Sequence, residues 1–100
     1  MHVAEFTLHA KPGHFDELAE LYSAFARDFL SIQPELETVL ILGDEAQGIV
    51  RGIGIFDEEA AADAVNSNPE FAAFNEAASP LLASPSERVE LKLLHSYVKV

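Results

Sequence analysis

The chain contains no cysteine, few basic residues and no long apolar run. The absence of cysteine excludes disulfide bonds, thiolate catalysis and cysteine-ligated metal sites. Six lysines and arginines against seventeen aspartates and glutamates give a formal charge of −11, which repels nucleic-acid phosphates and anionic membrane surfaces. No apolar stretch approaches the roughly 20 residues of a membrane span, and the N-terminal segment lacks a signal-peptide pattern. We therefore predict a cytoplasmic protein with neither a nucleic-acid nor a membrane partner.

The composition is that of a single folded domain. One hundred residues, with 49% apolar and 23% charged side chains, are enough to build one modest core, and this balance gives no reason to expect disorder. No internal repeat, low-complexity tract or linker divides the chain. We therefore predict one domain spanning residues 1–100.

Apolar periodicity predicts an alternation of strands and helices. Period-two patterns predict strands, and apolar residues at three- and four-residue spacing predict amphipathic helices. The predicted order is a strand at residues 2–9, a helix at 14–32, strands at 38–42 and 49–56, a helix capped by Asp57 at 57–65, a helix capped by Asn68 that starts at Pro69, and a strand at 88–97. This order is typical of the split βαβ, ferredoxin-like α+β fold, in which a four-stranded antiparallel sheet carries its helices on one face.

The segment Ile49–Phe56 is apolar on both faces. Isoleucines lie on one side, whereas two glycines and Phe56 lie on the other. In so short a chain the helices can cover only one side of the sheet, so we expect a second copy of the chain to cover the other in a homodimer. Glu5 and Arg51 fall on adjacent strands in this topology and are expected to form an ion pair there. The residues of the predicted dimer face are Val3, Glu5, Thr7, Ile49, Arg51, Ile53 and Ile55.

Several short segments occur in a characteristic order. They are the opening strand followed by Pro12-Gly13, the hairpin, Gly52-Ile-Gly-Ile-Phe56 followed by Asp57-Glu-Glu-Ala-Ala61, the helix start Asn68-Pro-Glu-Phe71, and Pro80-Leu-Leu82 before the last strand. Over essentially its whole length the chain thus resembles the antibiotic biosynthesis monooxygenase (ABM) type of dimeric α/β barrel. The resemblance implies a pocket between sheet and helices that takes a small apolar or aromatic ligand. For some members it also implies oxygenation of phenolic or quinone-like substrates without a cofactor, since a deprotonated, electron-rich substrate can react with dioxygen itself.

The sequence departs from this family at three positions. Phe56 stands where relatives commonly have tryptophan, Val65 lies near a position where many have histidine, and Phe6 lies near an asparagine of the haem-degrading branch. These replacements argue against haem degradation. The pocket that they predict is apolar, and its expected lining residues are Phe6, Tyr22, Phe25, Phe56, Val65 and Phe74.

Polar side chains near the predicted pocket are few. His95, on the last strand, is predicted to open into the pocket near Phe6 and to act as a general base; the alternative is a strand-end histidine bonded to a backbone carbonyl or to solvent. Tyr22 or Asn75 is expected to orient a substrate oxygen, although a tyrosine in the apolar stripe of a helix is also a common core residue. No group of histidine and acidic residues has metal-ligand spacing, so we expect no metal site.

Two functions are compatible with the sequence. One is a cofactor-independent monooxygenase that acts on a small aromatic or quinol-like substrate, with His95 as the base. The other is a non-catalytic dimeric barrel that binds a small ligand or has a structural role, which the absent tryptophan and histidine favour. No residue distinguishes oxygenation from isomerisation.

Overall fold

The computed structural model describes residues 1–99, in which strands and helices alternate along the chain. The strands are β1 (His2–His9), β2 (Leu36–Asp44), β3 (Ile49–Phe56) and β4 (Glu87–Lys92). The helices are α1 (Phe15–Asp28), α2 (Glu59–Asn66) and α3 (Pro69–Ala78). Short 3₁₀ turns at Leu30–Ile32 and Ser79–Leu81 follow α1 and α3.

The four strands form one antiparallel sheet in the order β2-β3-β1-β4. β1 lies inside the sheet, between β3 and β4, so the two strand–helix–strand halves of the chain interlock. The helices pack on one face of this sheet. The predicted ferredoxin-like α+β fold is confirmed.

Alternation along the strands sends one set of apolar side chains toward the helices. Leu8 of β1 and Val50 of β3 are fully buried in a core that they share with Leu18 of α1. Phe71 and Phe74 of α3 belong to the same core. Full burial of one such side chain stabilises the fold by about 1.5–3 kcal/mol, so this face of the sheet holds the helix layer in place.

The opposite face of the sheet carries the residues predicted to meet a partner. Strand register places Val3 beside Ile55 and Thr7 beside Arg51 on the side away from the helices. Arg51 Nε donates a hydrogen bond to Thr7 Oγ1 (3.2 Å) and lies 3.7 Å from Glu5 Oε1, so the expected ion pair is present. This outer face also includes Ile49, Ile53 and, on the edge strands, the half-exposed Leu40, Leu42, Val89 and Leu91.

Two helix boundaries differ from those that periodicity predicts. α1 ends at Asp28 rather than near residue 32, because the chain tightens into the 3₁₀ turn at Leu30–Ile32. The prediction that Asp57 caps α2 is wrong: α2 begins at Glu59, so Glu58 occupies the capping position, one residue later than predicted. At the end of β3, the backbone N–H of Asp57 donates instead to the Glu35 carbonyl (3.0 Å). Within residues 1–99, no helix combines the length and the apolar character needed to cross a bilayer.

The last strand is shorter than predicted. β4 ends at Lys92, whereas the alternating pattern continues to Tyr97. The pairing of β4 with β1 ends at Lys92, opposite His2, and within residues 1–99 no strand pairs with residues 94–99. The final bond of this pairing runs from the Leu93 N–H to the Met1 carbonyl (3.1 Å). Residues 94–99 are neither strand nor helix.

Asn68 caps α3, as predicted: its Oδ1 accepts a hydrogen bond from the Glu70 N–H at 2.9 Å, and Pro69 occupies the first turn. We expect Asn68→Ala to lower the free energy of unfolding by about 1 kcal/mol, because a helix N–H loses its partner. Asn75→Ala, an exposed substitution in the same helix, is the matched control and should leave stability unchanged or slightly raised. Urea denaturation followed by circular dichroism measures both variants, and equal losses in the two would contradict the cap.

Candidate functional site

An apolar cavity lies between the sheet and the helices. Its apolar lining residues are Ala4, Phe6, Leu30, Leu36, Val39, Phe56, Ala62, Val65 and Phe71, together with residues 52–54 of β3, of which Ile53 directs its side chain to the outer face. Tyr22, Asn66 and Arg88 also line it. The cavity therefore combines apolar walls with a small number of hydrogen-bond donors, which is the usual composition of a small-molecule site.

The cavity is small. The volume open to the centre of a water-sized sphere is about 40 Å³. One water needs roughly 10–15 Å³ on this measure, so the space holds about three waters. An aromatic ring needs more room, so side chains at the rim must shift for a ring to enter.

One row of paired residues across the sheet brings the main features of the cavity together. Gly52 of β3 is paired with Phe6 of β1, and Phe6 is paired with Arg88 of β4. Directly paired residues on neighbouring strands point to the same face of a sheet. Gly52, the Phe6 ring and the Arg88 guanidinium therefore lie side by side on the face beneath the helices, and Gly52 leaves open space there because it has no side chain.

Tyr22 enters the cavity from α1, and Gly52 makes room for its hydroxyl. A Cβ atom at position 52 would overlap the hydroxyl and ring of Tyr22. The Tyr22 ring packs against Phe74, with ring centroids 4.9 Å apart, and edge-on to Phe6 at 6.4 Å. Burial raises the pKa of Tyr22 above its ordinary value. The phenol therefore stays neutral at physiological pH and is suited to donate a hydrogen bond, not to act as a base.

Arg88 brings a positive charge to the cavity from β4. Its side chain is 25% exposed, and its Nη2 lies 3.3 Å from Glu90 Oε1, which in turn lies 3.2 Å from His2 Nε2. A guanidinium keeps its charge throughout the physiological pH range. Sequence reasoning missed Arg88 because alternation assigned it to the polar side of β4. Only the pairing with Phe6 reveals that this side faces the helices.

Four of the residues predicted to line the pocket do so: Phe6, Tyr22, Phe56 and Val65. Asn66, the last residue of α2, was not predicted; it is exposed and reaches the cavity at the rim. Its position after the final buried residue of a helix carries no sequence signal for a ligand site.

Three helix residues predicted for the pocket lie elsewhere. Phe25 and Phe74 stack on each other, with centroids 4.6 Å apart, and border a shallow groove between α1 and α3. Asn75 is exposed on α3. The apolar stripe of each helix is wider than the cavity, so one flank of the stripe packs against the neighbouring helix. The predicted placement of these three side chains in the pocket is therefore wrong.

His95 does not reach the cavity of its own chain. It lies in the exposed segment after β4, and the alternation that runs through Val89 and Leu91 leads to the outer face. The predicted placement of His95 near Phe6 is therefore wrong, because β4 faces the cavity with Arg88 instead. Within residues 1–99, the side chains that line the cavity include neither a histidine nor a carboxylate.

Three exposed carboxylates lie close together outside the cavity. Oxygen atoms of Glu59, Asp63 and Glu90 lie within 4.8 Å of one another. Hard cations prefer such ligands, but Glu90 already interacts with Arg88 and His2. This cluster belongs to the charged surface beside the cavity.

The sheet and its helix layer recur in solved structures, whereas no protein-family model and no curated protein sequence matches the chain. A protein of unknown function from Nitrosomonas europaea superimposes with a TM-score of 0.85, at 22% identity over 99% of this chain and 94% of its own. An antibiotic biosynthesis monooxygenase superimposes with a TM-score of 0.81, at 16% identity over 95% of this chain and 100% of its own. This chain has the ABM fold. A protein from Mycobacterium tuberculosis is also similar, with a TM-score of 0.82, 15% identity and coverage of 98% of this chain and 100% of its own.

Within this ABM fold, the state of Tyr22 can be followed by ultraviolet absorbance, because the chain has two tyrosines and no tryptophan. In Tyr97→Phe, which leaves Tyr22 as the only tyrosine, we expect no phenolate signal from the folded protein as pH rises past about 10. An unfolded tyrosine ionises near that pH while buried Tyr22 retains its proton, so stability should fall as pH rises further. Phenolate absorbance near pH 10 in protein that circular dichroism finds folded would contradict a buried, neutral phenol.

The contact between Gly52 and Tyr22 gives a second test. We expect Gly52→Ala to lower the free energy of unfolding by about 1–3 kcal/mol, because the new Cβ displaces the tyrosine. In a Tyr22→Leu background the hydroxyl and ring are absent, so the same substitution should cost clearly less. Denaturant titrations of the four proteins measure the coupling, and an equal cost in both backgrounds would exclude it.

Proposed function

We propose that the protein binds a small, electron-rich aromatic molecule with an acidic oxygen, of phenol or quinol type, and oxygenates it with dioxygen without a resident cofactor. The observation that carries this proposal is the pairing of two donors, Tyr22 and Arg88, with otherwise apolar cavity walls. The similarity of the fold to an antibiotic biosynthesis monooxygenase supports the reaction class.

The two donors suit an oxygen anion. The Arg88 guanidinium is permanently charged, and a nearby positive charge lowers the pKa of a bound phenol. The neutral Tyr22 hydroxyl adds a hydrogen bond to the same anion or to a second oxygen of the ligand. Donors fixed in a site that excludes much of the water stabilise such charge better than water does. The bound phenol then loses its proton because the positive charge of Arg88 lowers its pKa, without a base in the protein. The proton passes to solvent at the exposed rim of the cavity near Asn66.

The reaction of such an anion with dioxygen balances without a further reductant. The substrate supplies four electrons, one oxygen atom forms a new bond to a substrate carbon, and the O–O bond breaks. The second oxygen atom leaves as water; one of its protons comes from the substrate carbon that is oxygenated, and the other returns from solvent, to which the first deprotonation released it. The protein has to bind and orient the anion beside dioxygen and limit access of water, which apolar walls accomplish.

A second candidate function is ligand binding without turnover. Two observations favour it: no histidine or carboxylate is among the described residues that line the cavity, and the open volume is about 40 Å³. On this alternative the same donors hold a small aromatic anion, and no oxygen is consumed.

Oxygen uptake and binding separate these two functions. With a panel of single- and double-ring quinols, we expect substrate-dependent oxygen consumption by the wild-type protein and a rate at least tenfold lower in Arg88→Gln, because one anion donor is lost. Arg27→Gln is the matched control: it removes the same charge from an exposed helix position, and its rate should stay within about twofold of wild type.

A second experiment measures the affinity of the protein for the same quinols by calorimetric titration in the absence of oxygen. Binding that depends on Arg88 without any oxygen uptake would support the second function and exclude the first. Equal effects of the two arginine substitutions would exclude the assigned role of Arg88 in either function.

A further inference from the structure

Glu90 of β4 connects the cavity arginine to a histidine at the start of β1. The Arg88 Nη2 atom lies 3.3 Å from Glu90 Oε1, and the His2 Nε2 atom lies 3.2 Å from the same oxygen. Glu90 is paired across the sheet with Ala4, whose small side chain leaves the carboxylate free to reach residues diagonally opposite. The three polar side chains therefore form one continuous network at the edge of the cavity.

Arg88 and His2 compete for a single carboxylate oxygen. A hydrogen bond between two charged groups is stronger than one with a neutral donor. While His2 is neutral, Glu90 interacts mainly with Arg88 and offsets its charge. Once His2 is protonated, it binds the carboxylate more strongly, so more of the Arg88 charge is available to a ligand in the cavity.

The charge of this network changes within an ordinary range of pH. A histidine takes up a proton between about pH 8 and pH 5, whereas carboxylates and guanidinium groups largely remain charged there. The three side chains carry no net charge while His2 is neutral, and they carry one positive charge when it is protonated. The His2 side chain is 15% exposed, so water screens its contact less than it screens a surface ion pair.

The other charged groups around His2 ordinarily keep their charge over most of this range. They are Glu90 and Lys92 on β4, Glu59 and Asp63 on α2, which packs against β1, and the amino group of Met1. The β3 partner of His2 is the uncharged Phe56. Carboxylates lose their charge only at lower pH, and amines only near or above the upper end of the range. Among the described residues of this cluster, the change of charge therefore belongs to His2.

We propose that Glu90 is a shared counter-ion that weakens the hold of Arg88 on a ligand anion while His2 is neutral and releases Arg88 when His2 is protonated. Glu90 and His2 act through Arg88 and are positioning residues. This proposal rests on the anion site of the proposed function but not on oxygenation, so it holds equally for binding without turnover. Coupling is reciprocal, so a bound anion also favours proton uptake by His2.

Calorimetric titration with 2,4-dinitrophenol tests the coupling. This phenol is already ionised throughout the range, so its own titration does not contribute. We expect the dissociation constant of the wild-type protein to be about fivefold lower at about pH 5.5 than at about pH 7.5, at the lower end of typical couplings between two sites. Titrations in two buffers of different ionisation enthalpy should show net proton uptake on binding, and this measurement needs no variant.

His2→Asn, which can still donate to Glu90 but does not titrate, should lose the difference between the two pH values. The matched control is His14→Asn, because His14 Nδ1 makes a similar contact with Glu17 Oε1 (3.2 Å) at the exposed start of α1, and this variant should keep the difference. Glu90→Gln should bind at the higher pH about as tightly as the wild type does at the lower one, because the offsetting charge is gone. Circular dichroism establishes that each variant is folded.

The possible failures can be told apart. Binding that is lost in Arg88→Gln but equally tight at both pH values, without proton uptake, would overturn the coupling and leave the proposed function standing. Absence of binding that depends on Arg88 would overturn the anion site and the coupling together. An unchanged difference in His2→Asn would exclude His2, and weaker binding by Glu90→Gln at the higher pH would exclude the counter-ion role of Glu90.

Discussion

The position of β1 between β3 and β4 is the constraint on which the rest of the structure depends. Because both neighbours pair with it antiparallel, Phe6 lies between Gly52 and Arg88. A slip of one residue in either pairing would turn the side chains of a whole strand to the opposite face. The isoleucines of β3 would then lie under the helices, and the gap at Gly52 that accommodates Tyr22 would open to the outer face. The core, the cavity and the outer face are thus consequences of one register.

Periodicity predicts the features that depend on one strand or helix at a time. The bounds of β3 and the cap at Asn68 follow from local pattern, and the structure has both as predicted. Periodicity does not predict the features that depend on contact with another segment of the chain. The Asp57 N–H is bonded to the Glu35 carbonyl, and α2 begins one residue later than a cap at Asp57 requires. The pairing of β4 with β1 ends at Lys92, opposite His2. Arg88 belongs with these, since a polar residue on an edge strand is typical of a solvent-facing position until its pairing with Phe6 is known.

The chemistry of the cavity follows from which groups are absent from its walls. Phe56 and Val65 offer no hydrogen bond, so orientation of a ligand oxygen depends on the side chains of Tyr22, Arg88 and Asn66. Burial keeps the Tyr22 phenol protonated, whereas Arg88 keeps its charge at the partly exposed edge. Such a site stabilises an anion that the ligand already tends to form. It is poorly suited to remove a proton from a weak acid, and for this reason the function that we propose uses a ligand with an acidic oxygen.

The alternation of glycine and isoleucine in β3 connects the cavity to the outer face. Gly52 and Gly54 face the helices, and Ile53 and Ile55 face outward, so one backbone carries both surfaces. Glycine in a strand interior lacks side-chain packing and weakens the strand, whereas isoleucine favours it. The strand preference of the isoleucines therefore offsets part of the stability that the glycines take from the same strand. Any contact that orders the outer face also restrains the floor of the cavity, because the two surfaces share one set of backbone hydrogen bonds.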